Sequence, residues 1–217
     1  MTSRALPSTV RSAVEHRVEV KKSVFLARLE PVGSVEAADA VVARVRKEHW
    51  EARHHCVALV IGPHAERQRS NDDGEPAGTA GAPMLEVLRH REVTDLVAVV
   101  TRWFGGTLLG AGGLVRAYGG AVTGALDRAQ LVERVHLTQV TADAPQAEAG
   151  RIVAFLHQWA EAHGAVLDDP TYGAAVTLSI HVAPDRVPVL KADMAALTGG
   201  AVAMAVGETA IVDRPAH

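Results

Sequence analysis

The sequence predicts an α+β chain of two domains, the second a ferredoxin-like βαββαβ sandwich, and three observations carry that expectation. Alternating strand patterns and 3.6-residue helical patterns follow one another along all 217 residues. The pattern restarts near residue 136, which splits the chain into 1–135 and 136–217, each long enough for a core. Charge changes at the same place: residues 1–135 carry 18 Lys and Arg against 16 Asp and Glu, and residues 136–217 carry 4 against 9.

Each element follows from local pattern. Alternation from Glu15 to Leu29, through Val18, Val20, Val24 and Leu26, reads as one or two strands and ends at Pro31 and Gly33. Ser34 is an N-cap for a helix with Val35, Ala38, Val41, Val42 and Val45 on one face. A strand is expected over 54–61, closed by Gly62-Pro63, and a short helix over 83–90 with Pro83 in its first turn. An apolar strand at 96–100 runs into a glycine-rich stretch, and a helix follows over about 113–128 with Leu114, Tyr118, Ala121, Val122, Ala125 and Leu126 inward. Gly119, Gly120 and Gly124 lower its propensity, which suggests that a neighbour packs closely there. Beyond residue 135 the expected order is a strand at 136–142, a helix at 145–163, strands at 165–167 and 174–182, a helix at 185–197 capped by Gly199-Gly200, and a strand at 201–212.

Composition narrows the functional classes. Hydrophobic residues make up 48% and charged residues 22%, ordinary values for a folded globular chain. No apolar run approaches the roughly 20 residues that cross a bilayer. Residues 1–14, with Arg4, Ser8, Arg11 and Ser12, contain no continuous apolar leader segment. The lone Cys56 allows no internal disulfide, which fits a reducing, cytoplasmic location. The acidic second half does not suit a nonspecific nucleic-acid binder, whereas the first half permits a local basic patch.

The stretch Arg102-Trp-Phe-Gly-Gly-Thr-Leu-Leu-Gly-Ala-Gly-Gly-Leu-Val-Arg116 is the strongest candidate for chemistry. Strand, glycine loop and helix N-terminus together can hold an anion such as phosphate. Gly105, Gly106, Gly110, Gly112 and Gly113 supply the loop, Arg102 and Arg116 the flanking charge, Trp103 and Phe104 a surface for a base, and Thr79 a second helix-start seat. No Gly-Lys-Ser/Thr follows, and Val115 stands where the dinucleotide pattern needs its third glycine, so neither ATP nor NAD is indicated. The competing use of these glycines is tight turns and helix packing.

Asp72, Asp73 and Glu75 are a candidate Mg²⁺ or polar site, although Asn, Asp and Gly in this order more simply make a polar turn. His54 and Cys56 should share one strand face and His55 the other, with the cysteine buried rather than nucleophilic. No catalytic residue is assigned.

As a set, His54-His-Cys-Val57, Asp72-Asp-Gly-Glu-Pro-Ala-Gly-Thr-Ala-Gly-Ala-Pro83 and Val100 through Gly120 resemble the YigZ/IMPACT family, and Lys21-Lys-Ser-Val-Phe25 resembles its opening strand. The tail resembles the extra C-terminal domain of bacterial YigZ-type members. Trp103-Phe104 stand where Tyr-Tyr is common in the family, and Arg69-Ser70-Asn71 precede the acidic turn. The resemblance implies a first domain like the second domain of small-subunit ribosomal protein five. It implies a second domain like the ferredoxin-like last domain of elongation factor G. Both analogues act on RNA or ribosomes, and eukaryotic IMPACT is a translation regulator. The resemblance and the residues together leave three functions open. The first is a noncatalytic, translation-linked regulator binding RNA, the ribosome or a translation factor. The second is a protein-interaction module without an anion site. The third is a Mg²⁺-dependent enzyme or binder of a nucleotide or small phosphorylated metabolite.

Overall fold

The computed structural model describes residues 6–215 and divides into two compact units, one formed by the residues up to Arg134 with those from Arg214 on, the other by Val135–Asp213. Arg4, read above as part of the N-terminal segment, lies outside the described residues. No described helix is long and apolar enough to cross a membrane.

In the first unit a short strand β1 (Thr9–Val10) precedes the hairpin β2 (Val14–Val20) and β3 (Ser23–Pro31). The single alternating stretch of the sequence is thus two strands. Lys21 and Lys22 turn it with φ of 48° and 66°, the positive values a two-residue loop needs to follow the strand twist, and Val20 pairs with Ser23. Helix α1 (Val35–Glu48) starts where expected, its cap Ser34 Oγ accepting the Ala37 N–H at 3.1 Å. Next come β4 (His54–Ile61), β5 (Arg67–Asn71), α2 (Gly81–His90), β6 (Leu96–Trp103) and α3 (Ala111–Leu126). The sheet order is β2-β3-β6-β4-β5, with β6 antiparallel to both neighbours at its centre. Ala38, Val41 and Val45 of α1 cover one sheet face, against Val57, Leu59, Val97 and Val99. Met84 and Leu88 of α2, with Tyr118, Ala121 and Val122 of α3, fill the opposite face against Phe25, Ala27, Ala58 and Ala98.

Two differences from expectation have physical causes. Strand β5 leaves no mark in the sequence because all five residues are exposed, and an edge strand with no buried face shows no apolar alternation. Strand β6 continues past the apolar 96–100 run because Thr101 and Arg102 are themselves buried, at 1% and 6% exposure.

In the second unit β7 (Leu131–Ala144) leads to α4 (Gln146–His163), β8 (Val166–Leu167), β9 (Thr171–Tyr172), β10 (Val176–Val182), α5 (Val187–Thr198) and β11 (Met204–Pro215). The order is β11-β7-β10-β8, with β9 paired to β10. Both helices bury one stripe, Ile152 and Leu156 of α4 and Leu190 and Met194 of α5, in a single core with Val140, Ala142, Leu178 and Ile180. The alternation of those strand residues puts the two helices on one sheet face. Gly164 and Gly199 end the helices at φ of 63° and 61°.

Helical glycines in α3 divide unequally. A Cβ on Gly124 would meet the His16 ring, and one on Gly119 would make ordinary contact with Val87, but one on Gly120 would meet nothing within 4 Å. The close approach expected at Gly120 is therefore absent. Outside the helix, a Cβ on Gly105 would lie 2.0 Å from the Lys22 carbonyl carbon. Gly105→Ala is expected to lower stability in urea unfolding by about 3 kcal/mol, as overpacking against backbone does. Gly120→Ala should instead raise it by about 0.5–1 kcal/mol.

Candidate functional site

The acidic loop between β5 and α2 is a self-bonded structure. Asp72 turns back on it: Oδ1 accepts the N–H groups of Ala80 and Gly81 at 3.0 and 2.8 Å, and Oδ2 that of Gly78 at 2.8 Å. One carboxylate thereby caps the start of α2, which carries no capping side chain at Ala80. Burial opposes charge on Asp72, but these three N–H groups outweigh it and hold the carboxyl below its ordinary pKa. Asp73 points elsewhere, accepting the His55 backbone N–H at 2.7 Å and the Arg46 guanidinium. Its carbonyl lies 2.9 Å from His54 Nδ1, and the Asp72 carbonyl accepts the Cys56 thiol at 3.0 Å. His54 and Cys56 therefore share a face, as the alternation predicted. His55 is buried and reaches the His49 carbonyl; burial pushes its pKa down. Burial likewise pushes the Cys56 thiol up to about 12, so it stays protonated at neutral pH and is a poor nucleophile.

Glu75 inserts into the protein, and its Oε1 accepts from Arg102 at 2.6 Å and from the Tyr118 hydroxyl at 2.7 Å. The Arg102 and Glu75 side chains are 7% and 4% exposed. This corrects two expectations. Asp72, Asp73 and Glu75 do not converge on one point as Mg²⁺ ligands: they serve a helix start, a strand amide with Arg46, and a buried arginine. Among the described residues no group of three or more His, Cys, Asp or Glu is placed to hold a metal ion. Arg102 does not flank the glycine loop as a free cation. Its guanidinium carbon lies over the Phe25 and Phe104 rings, 5.5 and 5.6 Å from their centroids, and its Nε is buried without an acceptor.

The remaining candidates separate in the same way. Thr79 is buried and its hydroxyl donates to the Pro76 carbonyl at 2.6 Å, so it offers no second seat. Trp103 donates Nε1–H to Glu51 at 3.1 Å and meets His49 edge to face. The Gly105 N–H donates to Ser23 Oγ at 3.1 Å and is not open to a ligand. Gly106 and Gly110 serve turns, with φ of 82° and 70°. Gly112 and Gly113 lie in the first turn of α3, whose cap Gly110 contributes no side chain. The amides of that turn have no intrahelical acceptor.

Arg116 is exposed, its guanidinium 3.6 Å from where a Gly112 Cβ would stand. Beside it opens a cleft of about 170 Å³, lined by Val20, Lys21, Leu109, Gly113, Arg116 and Ala117. Lys21 is the residue that sequence reasoning missed. The signal available was its place in the Lys21–Phe25 stretch that resembles the family's opening strand, but nothing local says that this segment meets α3. A larger cavity of about 260 Å³ lies elsewhere, with His64, Gln68, Arg89 and Glu92 among its lining. Arg89 there is already paired with Glu86.

Residues 21–126 match the family model of the Impact N-terminal domain, and residues 153–201 match a domain of unknown function, DUF1949. The IMPACT family member YigZ of Escherichia coli (strain K12) is 40% identical over 204 residues, covering 93% of this chain and 97% of that protein. The IMPACT family member YvyE of Bacillus subtilis (strain 168) is 50% identical over 126 residues, 58% of each chain. A crystal structure of a hypothetical protein, 37% identical, superposes with a TM-score of 0.61 over 93% of this chain and 97% of that one. The two-domain translational regulator Yih1 is 29% identical over 58% of this chain and 49% of that one, with a TM-score of 0.34.

Truncating Glu75→Ala leaves Arg102 buried without its carboxylate and should lower the unfolding free energy by about 3–5 kcal/mol, read by urea denaturation. Asp72 titrates near its ordinary value of about 3.9 when unfolded and lower when folded. Its contribution is therefore present above that value and lost as pH falls through the folded pKa. The stability difference between the wild type and Asp72→Asn should shrink as pH is lowered from about 5 to about 3.

Proposed function

The chain belongs to the IMPACT family, and from that premise we propose that it is a noncatalytic, translation-linked protein of the cytoplasm that binds RNA, free or within the ribosome, through the β2–β3 turn and the start of α3. The observation that carries this reading is the cleft where Lys21 and Arg116 flank the uncapped first turn of α3. Two side-chain cations beside free amides and the positive end of a helix dipole suit a phosphate group. Of the residues the sequence offers for an anion seat, Gly112, Gly113 and Arg116 belong to the proposed site, with Lys21 in place of Arg102.

The translational element rests on what the family resemblance implies. Charge distribution supports RNA on the first unit rather than the second, since the acidic excess lies beyond residue 135. The Mg²⁺-dependent reading loses its support, because each loop carboxylate is engaged by protein donors.

Replacing both cations, Lys21→Glu with Arg116→Glu, tests the proposal by ribosome cosedimentation and RNA anisotropy. Binding should weaken about tenfold or more at low salt, and the slope of log K against log salt should fall by roughly 1.4, about 0.7 for each lost contact to single-stranded phosphate. Unchanged binding and slope would overturn the assignment. A partner recovered undiminished by the double variant after nuclease treatment would favour the protein-interaction reading instead.

A further inference from the structure

We propose that the outer face of the Phe104 ring is a stacking platform for an unpaired nucleobase, so that this face takes single-stranded RNA rather than duplex RNA or a protein. The proposal deepens the RNA reading above and rests on it.

Phe104 is a large apolar side chain left 54% exposed, with Leu108 at 83% and Val115 at 39% on the same loop and helix start. An exposed ring is usually loose, but this one has a fixed underside. The buried Arg102 guanidinium lies 5.6 Å from its centroid and is itself held by Glu75 at 2.6 Å, with the Phe25 ring 5.5 Å away. The ring is therefore ordered before any ligand arrives, which lowers the entropic cost of stacking on it.

Electrostatics choose the occupant. A cation under one face draws on the ring's negative quadrupole, so the open face is a weaker site for a second cation from a protein side chain. A neutral, polarisable nucleobase keeps its full stacking interaction there. The neighbouring residue fixes the link to the phosphate seat. Gly105 abuts the Lys22 backbone and bonds Ser23 Oγ, which sets Phe104 beside the hairpin turn that carries Lys21. An aromatic platform next to a cationic cleft is the combination that holds single strands, whereas a duplex keeps its bases stacked on one another.

The test measures anisotropy of a labelled oligoadenylate of about twelve nucleotides, and of a duplex RNA of equal length, with wild type, Phe104→Ala, Phe104→Leu and Phe104→Trp. The expected result is tighter binding of the strand than of the duplex by wild type, and about a tenfold loss for the strand in Phe104→Ala. Phe104→Leu, which keeps an apolar cover over Arg102 and the fold with it, should show the same loss, and Phe104→Trp should retain binding. If wild type binds strand and duplex equally and Phe104→Leu matches it, while Lys21→Glu with Arg116→Glu is impaired, the stacking proposal is overturned and the RNA reading stands. If wild type binds neither RNA at low salt, the RNA reading fails and this proposal with it.

Discussion

The Glu75 carboxylate is the point on which the first unit turns. One oxygen accepts from Arg102 on the central strand β6 and from Tyr118 in the middle of α3, so a loop, the sheet and a helix meet at one buried atom. Burying such a pair carries a large desolvation penalty, and attraction alone does not reliably offset it. Here the surroundings help. Tyr118 adds a hydrogen bond to the same oxygen, the Tyr118 ring meets Phe25 edge to face at 5.1 Å, and Phe25 and Phe104 flank the guanidinium. The arrangement ties the acidic loop to β6 and α3 through one carboxylate.

That constraint also explains which parts of the molecule were legible in the sequence. Elements with a strong apolar period stand out, as β4 and the Ser34-capped α1 do. What local pattern cannot convey is the partner of a polar residue. Arg102 beside a glycine loop and Asp72-Asp73-Gly74-Glu75 in a turn look like a cationic anion site and a metal site when read separately. The structure makes Arg102 and Glu75 partners across 27 positions, and it directs Asp72 to the amides of its own loop. The edge strand β5 and the contribution of Lys21 were hidden for a related reason, since one lacks a buried face and the other acts through a long-range approach to α3.

The second unit contrasts with the first in chemistry. Outward positions on β7 and β10 carry Gln139, Thr141, Asp143, Thr177, Ser179 and His181, tied together by bonds such as Thr177 to Asp143 at 2.7 Å and Ser179 to Asp168 at 2.7 Å. His181 reaches the same Asp168 oxygen at 3.0 Å. A sheet face that reads RNA presents aromatic rings to the bases. This one presents short polar groups already bonded to one another, in the part of the chain where acidic residues outnumber basic ones.

Rigidity is what joins the fold of the first unit to its candidate surface. Lys21 and Lys22 occupy positive φ, a conformation with few alternatives for residues bearing a Cβ, and the turn they form rests directly on Gly105. Glycine at 105 is therefore a packing requirement, in contrast to Gly106 and Gly110, which answer backbone dihedrals, and to Gly120, which meets nothing. The hairpin turn, the loop and the first turn of α3 are in this way set against one another without a ligand. A surface ordered in advance loses little conformational entropy on association, so even a small cleft with two cations can contribute useful affinity. Within the glycine-rich stretch that the sequence offers as a phosphate cradle, Gly105 thus serves close backbone approach and Gly106 and Gly110 serve turns, while the cations beside the cleft are Arg116 from the stretch itself and Lys21 from the hairpin turn.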